Sequence, residues 1–178
     1  MASIEVGKLH AFLTELGKQY NEPAKLFLLG GSALVMLGSP RQTADIDYVG
    51  HDVHKDDFQL VIEQLAQSFQ LDVEAVPIEE FIPVPADAHE RHILIAEFEQ
   101  VEVYVFDPYS IAISKLDRGF DTDIADVVFM LDQQLITMEQ LELLLHQALK
   151  QAHAFDLSPA TANRHLEVVR QRIASRRA

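Results

Sequence analysis

A short, wholly apolar run, Leu26-Phe27-Leu28-Leu29, stops at Gly30-Gly31-Ser32, and Asp45-Ile46-Asp47 follows a little further on. A run of this kind bounded by glycine reads as a buried strand. Two successive glycines allow positive φ and close backbone approach, so the chain can turn there at once into a new element. In a strand, residues i and i+2 point to the same face, so Asp45 and Asp47 share one. Unpaired carboxylates are costly to bury. The fold must therefore set a strand, a tight glycine turn and a short helix beside a second strand with one charged face.

The periodicity around this core predicts a mixed architecture. Residues 4–20 carry Leu9, Phe12, Leu13, Leu16 and Tyr20 at helical spacing, and Asn21-Glu22-Pro23 ends that helix. A short helix is expected over 32–37, a strand over 44–49, a helix over 55–69 and a strand over 71–76. Helix, strand, helix, strand, helix, strand argues for an α/β sheet with helices packed on it. Pro77, Pro83 and Pro85 then punctuate a loop, and 91–98 and 101–106 read as a hairpin. Helices are expected near 109–118, 122–133, 138–153 and 159–176, with Thr137 and Gln140 as a capping box and Ser158-Pro159 as N-cap and first turn. The resulting expectation is an α/β domain over 1–135 and a helical C-terminal extension over 136–178 packed on it.

Charge narrows the classes of partner. The chain of 178 residues carries a formal net charge of −14, which excludes nucleic-acid binding through the surface as a whole. Basic residues gather at the end, in Arg164, Arg170, Arg172, Arg176 and Arg177. They could meet RNA, an acidic partner or the acidic body of the chain itself. There is no cysteine, no signal-peptide layout in Met1-Ala2-Ser3-Ile4-Glu5 and no apolar run of membrane-crossing length. The expected location is cytoplasmic, with no membrane partner.

The chemistry sits in the first motif. Backbone N–H groups at a glycine turn that opens a helix attract phosphate. The Ser32 hydroxyl adds a donor. Mg²⁺ takes oxygen ligands and keeps room for substrate phosphates, which Asp45 and Asp47 can provide. This arrangement resembles the nucleotidyltransferase superfamily that shares the DNA polymerase β palm. Gly30-Gly31-Ser32 with Arg41-x-Thr43-x-Asp45-Ile46-Asp47 looks like its toxin-type and uncharacterised bacterial branches, including the AbiEii/MenT group. A second block, Lys115-Leu116-x-Arg118-Gly119 followed by Asp123 and Asp126, is similar to a block of those families.

The resemblance implies a mixed sheet flanked by helices, and transfer of a nucleoside monophosphate from a nucleoside triphosphate to a hydroxyl of tRNA or protein. It implies two Mg²⁺ ions, with Asp45 and Asp47 as ligands. Gly30, Gly31, Ser32, Arg41, Thr43 and Arg118 would bind nucleotide, and Lys115 would reach it. Asp123 and Asp126 would support the site. A third carboxylate is expected on the third strand, from Asp72 or Glu74, with Glu80 as a further option. A cognate antitoxin is an implied partner. The competing reading is an inactive nucleotide-binding or interaction module of a toxin–antitoxin or regulatory system.

Plainer readings stand beside these. Asp45 and Asp47 could lie on the solvated face of an edge strand. Lys115, Arg118, Asp123 and Asp126 could be surface ion pairs, which contribute little. His51 and His54 with Asp52, Asp56 and Asp57 read as a polar loop and helix start rather than a second metal cluster, and His89 and His92 lack a zinc framework. No Walker, dinucleotide or nucleophile-elbow motif is present.

Overall fold

The computed structural model describes residues 4–51 and 55–177. The chain divides into two compact units, Met1–Pro77 with His92–Phe106, and Ile78–Arg91 with Asp107–Ala178. Residues 107–135, expected to belong with the sheet, thus group with the C-terminal helices.

The first unit contains α1 (Val6–Gln19), β1 (Ala24–Leu28), α2 (Gly30–Met36), β2 (Asp45–Val49), α3 (Asp57–Phe69), β3 (Asp72–Val76), β4 (Ile93–Phe98) and β5 (Val101–Val105). Among the described residues the sheet has five strands in the order β3-β2-β1-β5-β4. It is mixed. β1 runs parallel to β5 and β2 parallel to β3, while the β1–β2 and β4–β5 pairs are antiparallel. This is the expected α/β class, with the nucleotidyltransferase-like sheet.

Alternation sets the faces. Ile46 and Tyr48 on β2 are buried, as are Leu26 and Leu28 on β1 and Val101, Val103 and Val105 on β5. Asp45, Asp47 and Val49 take the other, less buried face of β2. Helices α1 and α3 bury Leu9, Phe12, Leu13 and Leu16, and Phe58, Ile62 and Leu65. They meet through edge-on rings, Phe12 to Phe69 at 5.8 Å. Truncating one such fully buried leucine costs about 2–5 kcal/mol.

Two expected helix starts shift. α1 begins at Val6, because Ile4 is drawn into an antiparallel bridge with Thr43. α2 begins at Gly30, which takes φ +55° and leads the first turn itself. The start of α3 is capped by Asp56, whose carboxylate accepts from the Gln59 N–H at 2.8 Å. That fits the helix-start reading of Asp56 and Asp57. Asp52 and His54 lie outside the described residues.

The second unit is helical: α4 (Ile78–Phe81), a 3₁₀ turn (Ala88–Arg91), α5 (Pro108–Arg118), α6 (Asp121–Asp132), α7 (Met138–Leu149), α8 (Ala152–Phe155) and α9 (Pro159–Arg177). The proline-rich stretch expected as loop thus carries two short turns. The single helix expected over 138–153 breaks after Leu149 into α7 and α8. Caps follow the sequence signals. Thr137 accepts from the Gln140 N–H, and the Ser158 hydroxyl accepts from the Thr161 N–H, both at 3.3 Å. α5 packs on α6, α7 and α9. The basic end of α9 meets acids of its own unit: Arg170 pairs with Glu142 and Glu167, Arg172 with Asp121 and Arg176 with Asp132. Arg164 is exposed.

Candidate active site

The glycine turn and the aspartate strand are built as one object. The Asp47 carbonyl accepts from the Leu29 N–H at 2.8 Å, and the Ser32 hydroxyl lies 3.3 Å from it and 2.9 Å from the Leu29 carbonyl. Ser32 is wholly buried, so its hydroxyl staples the turn to β2. A Cβ on Gly30 would overlap the Asp47 carboxylate. A Cβ on Gly31 would stand 2.5 Å from Thr43 Oγ1 and 3.0 Å from Arg41 Nη2. Glycine is required at both places for the carboxylate, the threonine and the guanidinium to approach the backbone, and Gly30 needs it for its φ as well.

Asp45, Asp47 and Glu74 each present a carboxylate oxygen such that all three lie within 4.8 Å of one another. Register explains the third member. β2 and β3 run parallel with Asp45 beside Asp72 and Asp47 beside Glu74. Both β3 acids share the face of Asp45 and Asp47, but only Glu74 joins the cluster; Asp72 is exposed beside it. The sequence shows that Asp72 and Glu74 share a face. It does not show which stands level with Asp47, because register is a tertiary property. Three carboxylates offer oxygen alone, the donor set of a hard cation such as Mg²⁺, and three ligands leave positions for phosphate oxygens and water.

The second block forms a different structure. Lys115 on α5 is 2% exposed, and its ammonium donates to Asp126 Oδ2 at 2.7 Å and Asp123 Oδ1 at 3.2 Å, both on α6. The Arg118 Nη2 donates to Asp123 Oδ1 at 2.7 Å. The two Lys115 pairs are buried rather than at the surface, while Arg118 reaches Asp123 from an exposed position. Burial pushes the Asp123 carboxyl up, but the Arg118 hydrogen bond and the Lys115 charge outweigh it and hold it below the ordinary carboxylate range. Gly119, at φ +69°, closes α5 through its N–H to the Lys115 carbonyl at 2.8 Å.

A further ion pair, between the buried Asp107 and the half-buried Arg91, is not among the sequence expectations. Asp107 is fully buried at the N-cap of α5, accepting from the Tyr109 and Ser110 N–H groups. Arg91 grips it through Nε at 2.8 Å and Nη2 at 3.1 Å. Asp107-Pro108 is a readable N-cap signal; the arginine that answers it is not adjacent in sequence.

The sheet, the glycine turn and the carboxylate face define an α/β protein of nucleotidyltransferase type. The family model described as "nucleotidyltransferase of unknown function (DUF6036)" matches residues 7–173, and the chain belongs to that family. No curated protein and no solved structure matches it. No helix among the described residues is long and apolar enough to cross a membrane.

Proposed function

We propose that this chain is a Mg²⁺-dependent nucleotidyltransferase that moves a nucleoside monophosphate from a nucleoside triphosphate to a hydroxyl of tRNA or protein. The observation that carries the reading is the convergence of Asp45, Asp47 and Glu74 within 4.8 Å beside the Gly30–Gly31 turn. Membership of a nucleotidyltransferase family supports the reaction class. Asp45, Asp47 and Glu74 would hold Mg²⁺, which supplies charge neutralisation at the α-phosphate and lowers the pKa of an attacking hydroxyl. The Gly30–Gly31 turn lets the Asp47 carboxylate and the Arg41 guanidinium lie against the backbone, and Arg41 would be the cation for the phosphate oxygens. Glu74, the most exposed of the three acids, would take the acceptor's proton. The Arg41–Thr43 and Lys115–Asp126 motifs favour a toxin-type enzyme of the AbiEii/MenT kind, held in check by an antitoxin.

The test is incubation with Mg²⁺ and each α-labelled nucleoside triphosphate, with total tRNA and cell lysate as acceptors. Label transfer is expected from the wild type and not from Asp45→Ala or Asp47→Ala. Binding of nucleotide with no transfer to any acceptor would reassign the chain to a nucleotide-binding module.

A further inference from the structure

Thr43 touches two parts of the candidate site and the segment preceding α1. Its hydroxyl lies 3.3 Å from Asp45 Oδ1 and 3.1 Å from the Asp45 carbonyl. A hydroxyl has one proton, and an ionised carboxylate is the stronger acceptor. Oγ1 and Cβ of Thr43 also lie against Gly31, 2.5 and 3.0 Å from where a Cβ would stand. Its carbonyl accepts from the Ile4 N–H at 2.7 Å, and both residues are buried, at 3% and 4% exposure. One residue thus links the entry of β2 and the glycine turn, through its side chain, to the segment preceding α1, through its carbonyl.

We propose that Thr43 is a positioning residue for the metal site. Its hydroxyl holds the Asp45 carboxylate in the orientation that brings it to Asp47 and Glu74, and its packing on Gly31 ties that orientation to the phosphate-binding turn. The inference rests on the metal reading of the three carboxylates. It gives Thr43 a different duty from direct contact with nucleotide: the residue acts through Asp45. Hydrogen-bonded supports of metal ligands commonly change metal affinity about 10- to 100-fold when removed. The Ile4 bridge fixes the Thr43 backbone, so the side chain has little freedom to compensate when the hydroxyl is lost.

The experiment titrates the full chain with Mn²⁺ alone, following free ion by electron paramagnetic resonance. Thr43→Val keeps the shape and removes the hydroxyl; Thr43→Ser keeps the hydroxyl and removes the methyl. The expected result is Mn²⁺ binding weakened about tenfold in Thr43→Val and restored to within about twofold of wild type in Thr43→Ser. If Thr43→Val fails to fold, Thr43→Ala against Thr43→Ser makes the same contrast. Equal Mn²⁺ affinity in the hydroxyl-free variant and the wild type would overturn the positioning role and leave the metal site standing. Equal weakening in the serine variant would overturn it too, by assigning the effect to packing. Failure of the wild type to bind Mn²⁺ would overturn the metal reading, and the role of Thr43 with it.

Discussion

Among the described residues, each unit holds a cluster of acidic side chains, and the two are built on opposite principles. Asp123 and Asp126 are almost fully buried, and each is held by the Lys115 ammonium. Asp45, Asp47 and Glu74 are half-buried or exposed and are brought within 4.8 Å of one another. The first cluster places opposite charges in contact where water is excluded. The second gathers like charges where water and ions can enter. Loss of a buried partner leaves a charge stranded. Loss of one of several like charges relieves repulsion. Substitutions in the two places should therefore move stability in opposite directions.

The largest effect is expected at Lys115. Lys115→Met fills the volume of the side chain but leaves Asp123 and Asp126 facing each other in a dry interior. The expected loss is about 3–5 kcal/mol of unfolding free energy, read from urea denaturation. A loss under about 1 kcal/mol would mean that water reaches these acids and that the cluster behaves as a surface network.

A smaller effect, dependent on pH, is expected at Arg118. The Asp123 carboxyl titrates below its ordinary value in the folded chain. A depressed folded pKa contributes stability above the unfolded value, about 3.9, and the contribution is lost as pH falls through the folded value. Arg118→Ala removes one of the groups that depress it. Arg118 is 54% exposed, so the difference from wild type should be about 1 kcal/mol or less at neutral pH. It should shrink toward zero in thermal melts taken well below about pH 4. A difference that grows on acidification would reverse the assigned sign.

The two clusters also differ in how far they could be read before the fold was known. Strand identity and face followed from local pattern: Ile46 and Tyr48 in, Asp45 and Asp47 out. The glycine turn was legible because glycine combines an unstrained positive φ with room for a side chain to approach the backbone closely. The choice of Glu74 over Asp72 was not, since it depends on Asp47 standing level with Glu74 across the β2–β3 pair. The burial of Lys115 was hidden for a related reason. Spacing along α5 puts Lys115 and Arg118 near one face, but only the packing of α5 with α6, α7 and α9 decides that one is sealed and the other exposed. Ile4 was read as helix because helical periodicity extends to it, whereas its N–H is taken by the Thr43 carbonyl.

The smallest effect on stability is expected at Glu74, and its sign separates the clusters most sharply. Two unit charges at 4.8 Å repel by about 0.9 kcal/mol at the dielectric constant of water, and salt screens this further. Glu74→Gln removes one of three charges at an exposed position on β3 and opens no cavity. In metal-free buffer its unfolding free energy should equal that of the wild type or exceed it by up to about 1 kcal/mol. Addition of Mn²⁺ should invert the order, because a cation that binds only the folded chain stabilises the protein with more ligands to a greater extent. Thermal melts of both proteins with and without Mn²⁺ give the answer. If Glu74→Gln is destabilised by more than about 1 kcal/mol without metal, Glu74 supports the fold as the buried acids do. If Mn²⁺ raises both melting points equally, Glu74 is not a ligand. The inverted order is the outcome that would identify a carboxylate kept at some cost to stability for the ion it holds.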